Sequence, residues 1–224
     1  MRSALVPTAR VPGWLVRFAE RHGGPPECVA CDGGRVVLRA SDGAQALWSS
    51  VGLDLAGGAA PGERVDPAEV THRATAARAA AVLLLRRGGA VAAVVRVDES
   101  GARVLGSRVR TAYVQSRTAA GGWSQQRYAR RRAGQSAGLV HDAASEAGRV
   151  WSPHLASLAR PGALLCTAGD RGLLDQALAG LPAVVAAAAD LPRQVLELRG
   201  DPRRRVLEDL APAVGALRVE VSDP

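Results

Sequence analysis

Arg117-Thr118-Ala119-Ala120-Gly121-Gly122-Trp123-Ser124-Gln125-Gln126-Arg127-Tyr128-Ala129-Arg130-Arg131-Arg132 is the stretch on which the reading of this chain turns. An uncharged Gly-Gly loop with two glutamines runs straight into a burst of arginines. Around it, from Ser100 to His141, no Asp or Glu occurs in 42 consecutive residues. The same segment holds eight arginines: Arg103, Arg108, Arg110, Arg117, Arg127, Arg130, Arg131 and Arg132. The chain has 29 basic residues, all arginine, and 21 acids; without those eight, arginines and acids balance. The whole formal charge of +8 therefore belongs to this segment. An excess so localised reads as a site for a polyanion.

The stretch also marks a change of period. Before it come four short β-type runs, Val82 to Leu85, Val91 to Val97, Val104 to Ser107 and Thr111 to Gln115, punctuated by Gly88-Gly89 and Asp98-Glu99-Ser100-Gly101. After it, Ala129, Ala133, Ala137, Val140, Ala144, Ala147 and Trp151 recur every three or four residues. At about 100° per residue they share an arc of roughly 80°, a helix with a small-residue face. Arg127, Arg131 and Arg132 fall well off that arc and Arg130 near its margin. Ser124 reads as the helix N-cap.

Further on, Pro153 and Pro161 bracket a short helix. Ala163 to Thr167 reads as a strand, Asp170 to Leu178 as a helix, and Val195 to Leu198 as a strand. Asp201-Pro202 opens a helix to about Val214, and Leu217 to Val221 is a last strand. Towards the N-terminus, Trp14 to Ala19 form a helix stopped by Gly23-Gly24-Pro25-Pro26. Cys28 to Ala30 and Arg35 to Ala40 form a hairpin, Gln45 to Trp48 a third strand, and Asp66-Pro67 starts a helix running through Arg78. The expected fold class is α/β: a mixed sheet flanked by helices over residues 81–224, preceded by a small α+β region over 1–80.

At 224 residues, 47% hydrophobic and 22% charged, the chain is globular and long enough for a sizeable core. No leader or long apolar span is read, so a soluble, reducing, cytoplasmic setting without membrane is expected. Three cysteines do not make a disulfide scaffold. Cys28-Val29-Ala30-Cys31 offers half of a zinc site, with no second pair to complete it, so no metal or other cofactor is expected. The histidines, His22, His72, His141 and His154, are scattered. His141 and Asp142 are adjacent on a helix, pointing about 100° apart, which is poor geometry for an acid–base pair. There is no G-x-S-x-G elbow and no P-loop.

What remains is Gly121 and Gly122 beside Gln125 and Gln126. Glutamine does not titrate and is no general base, but its amide can position a water. Glycines allow close backbone approach, and their N–H groups can face a developing oxyanion. Such chemistry suits an already activated ester, and the arginines suggest one attached to a nucleic acid.

Gly121-Gly122-Trp123-Ser124-Gln125-Gln126, between a strand and an Arg-rich helix, resembles the catalytic loop of the Vms-type release factors, in particular their short actinobacterial branch. These are relatives of the middle domain of eukaryotic and archaeal peptide-chain release factors. The resemblance covers roughly Ala81 to Pro224 in element order and is most specific from Gly106 to Arg132. It implies an RNase H-like mixed sheet, ribosome binding at the peptidyl transferase centre of the large subunit, and hydrolysis of peptidyl-tRNA on stalled particles. In class-one release factors the motif is an uninterrupted Gly-Gly-Gln; in this chain Trp123 and Ser124 intervene. The Vms-type spacing points to Gln125 as the working residue, with Gln126 second, and to the loop at 116–126 as catalytic. Arg117, Trp123, Arg127, Arg130, Arg131 and Arg132 would then hold tRNA or ribosomal RNA. Two alternatives stay open: cleavage of the tRNA near its 3′ end, and a non-catalytic RNA- or ribosome-binding module. No part of residues 1–80 resembles a codon-reading domain.

Overall fold

A computed structural model describes residues 2–111 and 124–222; side chains in the helix that opens at Ser124 are described from Ser136 onward. The chain is α/β, with two sheets and helices packed on both.

The strands of the second sheet are the most apolar. In β6 (Arg78–Arg86) eight successive residues are buried, and in β7 (Gly89–Asp98) the first seven are. Strands buried on both faces read as continuous apolar runs, as these do. The order is β10-β9-β6-β7-β8, with β8 at Gly101–Thr111, β9 at Leu164–Gly169 and β10 at Arg193–Leu196. β6, β9 and β10 run parallel, while β7 and β8 are antiparallel. One face is covered by α3 (Ser124–Trp151) and α5 (Arg171–Ala179), which bury Leu139, Ala143, Ala147, Val150, Leu174 and Ala177 against Leu83, Leu85, Ala92 and Val94. In chain order the short α4 (Leu155–Leu158) comes between these two helices. The other face packs Leu207 of α6 (Arg204–Leu210) on Val82, Leu84, Val91 and Val95.

The first sheet has the order β1-β11-β4-β3-β2-β5, all antiparallel. Its strands are β1 (Arg2–Val6), β2 (Glu27–Cys31), β3 (Arg35–Arg39), β4 (Gln45–Ser49), β5 (Arg64–Val65) and β11 (Leu217–Ser222). Helices α1 (Val11–Arg21) and α2 (Pro67–Thr75) bury Val11, Phe18, Val70 and Ala74 against Leu38, Trp48 and Leu217.

Several expectations are corrected. Leu217 to Val221 is a strand, but it lies in the first sheet between β1 and β4 and not in the second. The chain enters β11 through a turn at Gly215 (φ 64°). Its N–H donates to Gln194 Oε1 at 2.8 Å, and its carbonyl accepts from the Arg78 guanidinium. Two polar side chains buried in the second sheet thus hold the turn that hands the chain to the first. Arg78, 5% exposed, is accordingly the first residue of β6 and not the end of α2. That helix stops at Thr75, and Arg78 pairs with Val97 across the sheet. Burial lowers the Arg78 pKa to about 10.

Two expected strands, at 104–107 and from Thr111, are one continuous strand, β8; residues 112–115 lie outside the described ones. β10 starts two residues earlier than expected, because Gln194 and Leu196 face inward while Val195 is 71% exposed. Gln194 is satisfied there by Gly215 and by the Ala213 carbonyl at 3.0 Å. α6 begins at Arg204, and the Asp201 carboxylate lies against Gly88 and does not cap the helix. On α3, Ala137 is exposed and the buried strip includes Leu139, Ala143 and Val150, because the helix faces β7 and α5 together.

Candidate nucleic-acid interface

The basic segment begins on β8, which among the described residues is an edge strand paired with β7 alone. At its start Ala102 and Val104 lie on the α6 face, beside Val95 and Val97. Between Val94 and Val95 the register slips, so Val94 pairs Gly106 and Val95 pairs Val104, leaving Leu105 as the extra residue. A strand's side chains alternate faces, so one extra residue inverts everything after it. Arg108 pairs Ala92 and Arg110 pairs Ala90, and both partners belong to the core under α3. The bulge therefore turns two arginines towards α3.

What meets them is Glu146, 4% exposed. Arg108 Nε lies 3.5 Å from Glu146 Oε2, Arg110 Nη2 pairs with Oε1, and Arg149 Nη1 reaches Oε1 at 3.2 Å. Glu146 is the residue that sequence reasoning missed. Its signal was present: it sits three residues after Ala143 and four before Val150, so it falls on the apolar strip. A buried carboxylate requires partners; two come from the arginine-rich strand β8 and the third, Arg149, from α3 itself.

A second anchor fixes the same helix. The Trp151 indole, fully buried, donates to the Ala93 carbonyl at 2.9 Å, one residue from the slipped register. β8 ends at Thr111 and α3 begins at Ser124. Residues 112–123 join them, so Arg117, Gly121, Gly122 and Trp123 lie outside the described residues. Gln125, Gln126, Arg127, Arg130, Arg131 and Arg132 are all in the first turns of α3, outside the described side chains. Ser124 is the first helical residue. A helix start leaves backbone N–H groups without intrahelical partners, an electropositive end that favours anions.

Elsewhere the candidates separate. His141 and Asp142 are both exposed on α3. Cys28 and Cys31 are three apart on β2 and so point to opposite faces, which does not make a chelating pair. His22 joins Asp42 at 2.8 Å in the first sheet's loops, where the pair's hydrogen bond lowers the Asp42 pKa. No helix among the described residues is long and apolar enough to cross a membrane.

Compared with known proteins, residues 78–220 match a family model described as the Actinobacteria/chloroflexi VLRF1 release factor. The match starts at the first residue of β6 and ends inside β11, so it spans the second sheet, β8 and α3. No curated protein matches the chain.

Proposed function

Since the chain belongs to the Actinobacteria/chloroflexi VLRF1 release-factor family over residues 78–220, we propose that it frees nascent chains from peptidyl-tRNA on obstructed ribosomes without reading a codon. A release factor works on the ribosome, so the ribosome is its partner. The finer reading is that the protein acts as a peptidyl-tRNA hydrolase at the peptidyl transferase centre of the large subunit. What supports it is the order along the chain: Gly121-Gly122-Trp123 follow β8 and lead into Ser124-Gln125-Gln126, which open the long basic helix α3, all inside the family's span.

In this reading Arg127, Arg130, Arg131 and Arg132, with Arg117, hold the phosphates of tRNA or ribosomal RNA. Gly121 and Gly122 let the backbone approach the tRNA 3′ end without side-chain obstruction. Gln125 orients a water against the ester carbonyl. The ester is already activated and glutamine exchanges no proton, so the rate gain comes from positioning and from N–H groups facing the developing oxyanion. Gln126 is the second position from which an amide can do this. Trp123 stacks on an RNA base or anchors the loop.

The test uses stalled large subunits carrying labelled peptidyl-tRNA. Wild-type protein is expected to release peptide and leave an intact CCA end on the tRNA. Gln125→Ala is expected to slow release by about 100-fold, the scale of losing one positioned donor in acyl transfer. Release as fast as wild type by both Gln125→Ala and Gln126→Ala would remove the mechanism. A shortened tRNA 3′ end would replace ester hydrolysis by nucleolysis. Salt-sensitive RNA binding without turnover would leave a binding module.

A further inference from the structure

The cluster on Glu146 takes no part in the chemistry above, yet its charges do not balance. One carboxylate, its side chain 5% exposed, faces three guanidiniums that are 59%, 48% and 57% exposed for Arg108, Arg110 and Arg149. Glu146 pairs with no other cation among the described residues, and none of the three arginines pairs with another acid there. Two positive charges are left over at the surface.

The geometry is also one-sided. A guanidinium carries five N–H donors in a rigid fork; Arg110 and Arg149 meet Glu146 Oε1, and Arg108 approaches Oε2 at 3.5 Å without giving it a hydrogen bond. About half of each guanidinium side chain stays exposed, so an incoming oxyanion meets three cations gathered around one carboxylate. The carboxylate lies beneath the guanidiniums and nearly sealed from water, so the outer surface an anion encounters is positive. The register slip in β8 supports this reading. Without the extra residue at Leu105, Arg108 and Arg110 would point to the α6 face, away from Arg149. A buried ion pair is weak as a stability device, since hydrophobic residues of similar volume serve as well. Three arginines on one acid suit a surface that needs held cations.

We propose that Arg108, Arg110 and Arg149 form a phosphate-binding patch for an RNA backbone, held in shape by Glu146, at the root of the 112–123 segment. The identity of the ligand as RNA rests on the release-factor reading above; the patch would fix the orientation of β8 and α3 on RNA while the glutamines act at its 3′ end. Glu146 is a positioning residue, and the arginines are the contacts.

The experiment measures binding of fluorescein-labelled deacylated tRNA to the full chain by anisotropy, as a function of salt. Each phosphate contact contributes about 0.7–0.9 to the slope of log K against log salt. Arg108→Gln and Arg149→Gln are each expected to lower the slope by about that amount, with a folding transition still present. Unchanged slopes in folded variants overturn the patch. Because Arg108 faces a buried acid and its removal can loosen the fold, a second measurement uses the unaltered protein. Bound tRNA is expected to protect Arg108, Arg110 and Arg149 from phenylglyoxal, read by peptide mass spectrometry; equal modification with and without tRNA overturns the proposal. Failure of the release reading shows instead in the peptide-release assay with Gln125 and Gln126 variants, so the two failures are read separately.

Discussion

Cys28 and Cys166 show how one residue type is set apart by its surroundings. The Cys28 thiol is pushed up to about 11, first by burial and then by the charges of Asp66 and Glu27; burial alone takes Cys166 to about 12. Both lie above the ordinary 9.0, so the folded chain keeps protons that the unfolded chain releases. Their contribution to stability is complete below pH 9 and declines as pH rises through the folded values. The urea midpoint is therefore expected to be lower at pH 10 than at pH 8. At pH 8 Cys31, which is only half-buried, is expected to react with a disulfide reagent before either of the others. Equal fast reaction of all three thiols would contradict the burial on which this argument stands. The residue scale is also where sequence patterns misled: Val195 is outside and Gln194 inside, because Gln194 has two buried backbone partners and Val195 has no core to enter.

Among the elements, α3 matters most to the proposed function, since Gln125 and Gln126 belong to its first turn. Its described half is held in three ways: by apolar packing on β7 and α5, by Glu146 against β8, and by the Trp151 indole on the Ala93 carbonyl. Trp151→Phe keeps most of the packing and leaves a buried carbonyl without its donor. The expected cost is about 1–3 kcal/mol in urea unfolding; a cost near zero would mean that β7 re-satisfies Ala93 by itself. The helix was legible from its period of three and four, and its start and end were close. Its buried face was less so. Ala is too small to mark a side clearly, and the strip was recognisable only with Leu139, Ala143 and Val150 included. The slip in β8 was barely legible. Gly106 inside a strand pattern is a weak sign of a bulge, but the sequence pattern breaks the strand at Arg108 to Arg110 instead, three residues past the slip.

At the scale of the molecule, the two sheets are joined by the last strand. β11 comes from the region of the family match and pairs on both sides with strands from residues 2–49. A fragment 78–224 is therefore expected to melt at lower temperature and more broadly than the full chain, and to aggregate through the uncovered β11 edges. Adding residues 1–77 as a separate chain is expected to restore the transition; a fragment that melts like the full protein would show that β11 needs neither neighbour. The sequence by itself determined the α/β class, most strands and helices, the concentration of charge in one segment and the Gly-Gly and Gln-Gln motif within it. These follow from local period, turn chemistry and composition, which act over a few residues. Only the tertiary structure decided which sheet takes β11, where Arg78 goes, and which arginines face Glu146. Each of those depends on partners far away in sequence, 137 residues for Arg78 and Gly215, and on burial, which makes a polar group seek whatever complement lies across the core.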